Sequence, residues 1–93
     1  MDRITKENLE ALVALINRTA GNNVEHWNET GSNVGTYIIE WAYGGCRLAQ
    51  VTSERNTTRD ITRIGTKRET YDRARAFLAG IEAIKYPLST DNG

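Results

Sequence analysis

Val34-Gly35-Thr36-Tyr37-Ile38-Ile39-Glu40-Trp41-Ala42-Tyr43-Gly44-Gly45-Cys46-Arg47-Leu48-Ala49-Gln50-Val51-Thr52 is the stretch that decides the fold. Its arms are rich in β-branched and aromatic residues. Gly44-Gly45 sits between them as a two-residue turn whose glycines tolerate the positive φ of a type I′ hairpin. With that turn Tyr43 opposes Cys46, Trp41 opposes Leu48, Ile39 opposes Gln50 and Tyr37 opposes Thr52, all on one face by the period of two. This face is expected to meet the helices, with Trp41 in the core. The opposite face carries Ile38, Glu40, Ala42, Arg47, Ala49 and Val51, too apolar for a fully wet surface, and reads either as a dimer interface or as a ligand wall.

Working outward, Ser53 to Asn56 reads as a turn and Thr57 to Ile64, rich in threonine and isoleucine, as a third main strand that Gly65 breaks. Val24 to Asn33 is polar and at most a short edge strand. At the N-terminus Thr5 is a candidate N-cap, with Ile4 before it and Leu9 placed for a hydrophobic staple. Leu9, Leu12, Val13 and Ile16 recur at helical spacing until Gly21-Asn22-Asn23 supplies a stop. At the other end Thr66 and Glu69 form a T-x-x-E capping box. Tyr71, Ala74, Phe77, Leu78, Ile81 and Ile84 make one apolar helix face, and Pro87 ends it. The chain thus reads as one α+β domain over residues 1–93, in the order α-β-β-β-α. It has a helix at 5–19, an antiparallel sheet of three to four strands within 24–64, a helix at 66–85 and a loose tail at 88–93.

Ninety-three residues, 39% hydrophobic and 26% charged, fit one small globular domain. A core of that size has little stability margin, so burying a further apolar face in a homodimer is physically attractive. Twelve basic and twelve acidic residues cancel, which removes the general pull toward nucleic acid. The charge is nevertheless uneven: acids crowd the N-terminal part, while Arg47, Arg55, Arg59, Arg63, Lys67, Arg68, Arg73 and Arg75 fall in the second half. A single cysteine, no apolar run near the ~18 residues a membrane helix needs, and no leader pattern predict a cytoplasmic protein in a reducing compartment.

The sequence offers little for catalysis. His26 is the only histidine and lacks the convergent ligands a metal needs, so it reads as a surface or edge-strand residue. Cys46 reads as a small buried hydrophobe, because a reactive thiolate needs exposure and positive neighbours. No metal, no cofactor and no enzymatic turnover are expected.

The start of the second helix is more informative. Lys67 and Arg68 lie in its first turn, where the macrodipole opposes cations by about 0.3 to 1 kcal/mol each. One explanation is a phosphate seat built from free backbone donors, the Thr66 hydroxyl and the two cations. The other is a solvated face with Arg68 paired to Asp72 and Glu69 to Arg73 at i,i+4. Arg75 follows Arg68 on nearly the same face. Arg59 and Arg63 alternate with Ile61 on the third strand, either flanking an anion or protecting an edge. Tyr37 and Tyr43 belong to the aromatic ladder, and Tyr43, at the turn, is the better placed to stack on a base.

Asn33-Val34-Gly35-Thr36-Tyr37, Ala42-Tyr43-Gly44-Gly45 with Leu48, and Gly65-Thr66-Lys67-Arg68-Glu69 with Tyr71, Arg75, Ala76, Phe77 and Gly80 together resemble a group of small proteins encoded by bacteriophages and prophages. The helix, sheet, helix organisation is more loosely similar to phage anti-defence sponges of the Thoeris anti-defence group. These bind cyclic nucleotide or cyclic ADP-ribose immune signals without cleaving them. The resemblance implies a dimer in which arginines meet phosphates and an aromatic meets the base, and Arg59, Arg63, Lys67, Arg68, Arg75, Tyr37 and Tyr43 are suitable types. The expectation is therefore a non-enzymatic, homodimeric, phage-encoded protein that sequesters a small anionic nucleotide-like ligand. A double-stranded RNA-binding module and a protein-protein inhibitor anchored by Ile38 and Val51 are the alternatives.

Overall fold

In the computed structural model, which describes residues 3–85, the chain runs α1 (Lys6–Ala20), β1 (Trp27–Asn28), β2 (Gly31–Ser32), β3 (Tyr37–Ala42), β4 (Gly45–Val51), β5 (Thr58–Asp60) and α2 (Lys67–Lys85). The mixed α+β order agrees with the sequence reading. Pro87 and the tail expected at 88–93 lie outside the described residues.

Helix α1 starts where its cap predicts. The Thr5 hydroxyl accepts from the Asn8 N–H (3.1 Å) and the Asn8 side chain accepts from the Thr5 N–H (2.9 Å), a capping box with asparagine at the third helical position. Gly21, at φ +82°, closes the other end: its N–H reaches the Arg18 carbonyl and the Asn22 N–H reaches that of Asn17. Leu12, Val13 and Ile16 pack with Leu48 of β4 and with Ala74 and Leu78 of α2, and Tyr37, Ile39, Ile61, Tyr71, Phe77 and Ile81 surround them. Burying a leucine fully, as Leu48 is, stabilises by about 1.5–3 kcal/mol. Ile84, expected on the buried face of α2, is exposed.

The three main strands form one antiparallel sheet in the order β3-β4-β5. Its hairpin differs from the expected register by two residues. Trp41 opposes Cys46, Ile39 opposes Leu48 and Tyr37 opposes Gln50, and the turn is Tyr43-Gly44 rather than Gly44-Gly45. Gly44 has φ +89° and Tyr43 does not share its sign, so this is not the type I′ turn, which needs positive φ at both positions. The reason is tertiary. Gly45 runs against Gly65, where a Cβ would collide with the Gly65 carbonyl oxygen, so that glycine is required in the strand. A shift of two preserves the face of every side chain.

The expected strand 57–64 pairs only over Thr58–Asp60. Ile61 and Thr62 N–H groups then both reach the Leu48 carbonyl, a bulge, and pairing resumes at the single bridge between Cys46 and Gly65. Upstream, 24–33 does not join this sheet. β1 and β2 make a separate two-stranded hairpin, anchored to the 53–56 turn by Ser32 N–H to Glu54 O (3.0 Å) and by His26 with Asn56 (2.7 Å). On the second sheet face Ala49 and Val51 are buried within this one chain, whereas Ile38, Glu40 and Arg47 are half-buried and Ala42 is exposed. Trp41 departs in the other direction. It lies on the helix-facing side at the edge strand and remains 46% exposed, instead of entering the core.

Candidate functional site

The residues singled out around α2 meet at one end of the sheet. The Cys46 N–H donates to the Gly65 carbonyl and the Gly65 N–H to the Cys46 carbonyl, both at 2.9 Å. This bridge sets the β3–β4 turn, with the fully exposed Tyr43, at the same end as Ile64 and the α2 start. Below it the Cys46 thiol donates to the Thr70 hydroxyl (3.4 Å), which donates to the Cys46 carbonyl (3.0 Å). Both residues are wholly buried, the environment of an inert thiol.

At the helix start the capping box is complete. The Thr66 hydroxyl accepts from the Glu69 N–H (3.0 Å) and the Thr66 N–H donates to Glu69 Oε1 (2.9 Å). That second bond, with Arg73 nearby, holds the Glu69 carboxyl below its ordinary pKa despite some desolvation. The chain's own carboxylate therefore already occupies a donor that the phosphate-seat reading assigns to a ligand.

The cations differ in their partners. Arg68 lies 3.9 Å from Asp72, both exposed, a pair of little energetic weight. Arg63 and Lys67 flank Gly65-Thr66 and are exposed, with no carboxylate within 4 Å among the described residues. Arg59 donates through Nε to the Gln50 side chain (3.0 Å) on β4, and the bulge at Ile61 and Thr62 separates it from Arg63, so the two do not alternate along one strand. The Glu69–Arg73 pair is replaced by Arg73 Nη1 donating to the Arg63 carbonyl (3.4 Å).

Two expected residues lie elsewhere. Arg75 is eight residues beyond Lys67, about 12 Å along the helix axis. It lines a groove between α1 and α2, of about 510 Å³, with Leu15, Tyr71 and Glu82. Tyr37 packs edge-to-face on Phe77 (centroids 5.1 Å apart) and lines a second groove of about 260 Å³, with Val13, Ala14, Val24, His26 and Ile39. Tyr37 and Tyr43 thus mark opposite ends of β3.

The sequence reading passed over two features. Asn17 is buried on α1 and both accepts from the Tyr37 N–H (2.7 Å) and donates to the Tyr37 carbonyl (2.9 Å). Only its place on the apolar stripe hinted at this. On the second sheet face Arg47 joins Glu40 (2.9 Å) and Asp60 (3.2 Å), while Thr58 donates to Glu40 Oε2 (2.6 Å). The Thr58 hydroxyl and the Arg47 guanidinium keep the Glu40 carboxyl below its ordinary pKa against partial desolvation. The correct hairpin register, which opposes Glu40 and Arg47, carries that signal. His26 is stacked on Trp27, and no group of three histidine, cysteine or acidic side chains is placed to hold a metal among the described residues. No helix in the described residues is long and apolar enough to cross a membrane. Comparison with family models, with curated proteins and with solved structures returns no match.

Proposed function

We propose that this chain is a non-enzymatic, bacteriophage-encoded binding protein of the host cytoplasm that captures a small anionic, nucleotide-like ligand. The observation that carries this reading is Arg63 and Lys67, two cations without carboxylate partners among the described residues, flanking Thr66 at the end of the molecule where Tyr43 is exposed. Unneutralised cations beside helix-terminal donors favour phosphate, and an exposed tyrosine supplies a face for a base. Arg68 adds charge at the same helix turn. In this reading the ligand competes with Glu69 for the Thr66 N–H, so affinity depends on displacing an internal carboxylate. Arg59, which opposes Gln50 at the Tyr37 end of the sheet, lies away from this seat, as do Arg75 and Tyr37. The inert setting of Cys46 favours capture over turnover.

The deciding measurement is native mass spectrometry of the protein mixed with extract from cells whose nucleotide immune signalling is active, followed by calorimetry with the retained compound. A discrete phosphate-containing adduct that weakens at least tenfold in Arg63→Ala/Lys67→Ala supports the reading. An adduct indifferent to that double variant, or no adduct alongside a steep salt-dependent affinity for duplex RNA, overturns it.

A further inference from the structure

The two edges of the main sheet are treated differently. The β5 edge is three residues long, carries Arg59 and Asp60, and ends in a bulge, all devices that discourage pairing. The β3 edge, Tyr37-Ile38-Ile39-Glu40-Trp41-Ala42, has no proline, lysine, arginine or bulge. Its backbone directions follow from one bond. The Tyr37 N–H and carbonyl point away from β4, because both are taken by Asn17. By the alternation of an antiparallel ladder, Ile39 and Trp41 point their N–H and carbonyl groups the same way. No described strand lies on that side. Beside these groups runs the apolar groove of Val13, Ala14, Val24 and Ile39, and two residues along the strand Trp41 is 46% exposed on the helix-facing side.

The geometry points to antiparallel self-pairing of β3 with β3 of a second copy, about a two-fold axis through Glu40. The occupant is a second copy because one six-residue strand carries both halves of the contact. Such an axis sets Ile39 opposite the partner's Trp41, and Trp41 opposite the partner's Ile39. The free backbone groups of each pair satisfy one another and each indole enters the other copy's groove. Asn17 disfavours the neighbouring register centred on Ile39. Centring on Ile39 would demand the Tyr37 backbone groups, which Asn17 already holds. Facing Glu40 with the partner's Glu40 brings like charges together, a cost in most strands. Here both oxygens of Glu40 are turned onto the chain's own Arg47 and Thr58. The result is one sheet of six strands, with edge β5 protected at each end. This interface stands independently of the ligand proposed above.

Sedimentation equilibrium of the purified chain is expected to give twice the monomer mass of 10.4 kDa. Ile39→Pro deletes an outward N–H and leaves the bonds to β4 intact, as edge prolines do, so a folded monomer is expected. A second variant covers the case in which that proline unfolds the chain. Glu40→Cys places a thiol on the two-fold axis, at the close spacing of a non-hydrogen-bonded pair, and mild oxidation is expected to cross-link the copies nearly completely. A wild-type monomer at all concentrations overturns the proposal, as does a folded Ile39→Pro dimer or a wild-type dimer whose Glu40→Cys form does not cross-link. Loss of dimer in Ile39→Pro with ligand capture retained separates this interface from the ligand reading.

Discussion

The carboxamide of Asn17, buried on α1, holds both backbone groups of Tyr37, accepting from its N–H at 2.7 Å and donating to its carbonyl at 2.9 Å. One side chain thereby acts as the neighbouring strand for a single residue of β3, and it joins helix and sheet through polar bonds inside an apolar layer. Removing it leaves a part-buried donor and acceptor unpaired, which costs about 1–3 kcal/mol for each. Asn17→Leu is therefore expected to lower unfolding stability by roughly 2–4 kcal/mol, read as a shift in urea midpoint without a change in slope.

Glu40 makes stability depend on acid. Its carboxyl is held below its ordinary pKa by Thr58 and Arg47, so its contribution is fully present above the unfolded-state value and is lost as pH falls through the lower folded value. At neutral pH Glu40→Gln should cost about 1 kcal/mol in urea unfolding. That difference from wild type should shrink as pH falls below the unfolded-state value and disappear once pH lies below the lowered folded value.

Glu69 guards the α2 start. Its carboxylate takes the Thr66 N–H, so Glu69→Ala frees that donor and removes a negative charge from the same spot. On the proposed ligand reading, binding of a nucleotide-like probe such as cyclic ADP-ribose, measured by calorimetry, is expected to tighten several-fold even as the helix loses its cap. Weaker binding in the variant would show that Glu69 is not a competitor.

Cys46 should behave as a buried group. It is wholly inaccessible and bonded to Thr70, so modification by a disulfide reagent under native conditions should proceed only through opening of the structure. Labelling is expected to accelerate in proportion to the opened fraction as urea is added. Rapid native labelling would contradict the packing of β4 under α2.

Core substitution offers a simple check of the layer between sheet and helices. Leu48→Ala removes the wholly buried side chain at the centre of the cluster and is expected to destabilise by about 3–4 kcal/mol in chemical unfolding.

Much of the fold was legible in local pattern. Thr5 and Thr66 capped the helices as their spacing implied, and the parity of Tyr37, Ile39, Cys46 and Leu48 set them on the helix-facing side whatever the register. Both are properties of a few neighbouring residues, so the sequence by itself determined the two helices, the central hairpin, their order and which way most of their side chains point. Register, partners and coverage are non-local. The Tyr43-Gly44 turn depends on Gly45 lying against Gly65, twenty residues away in the chain. Trp41 stays half-exposed because it sits at a sheet edge, and Val51 is covered because the 24–36 segment turns back onto β4 and the turn that follows it. The candidate ligand residues divide for the same reason: Tyr43, Lys67 and Arg63 share an end because of the Cys46–Gly65 bridge, whereas Tyr37 and Arg75 belong to two separate grooves. Only tertiary packing decides such groupings, since they rest on close contacts between segments that sequence periodicity does not relate.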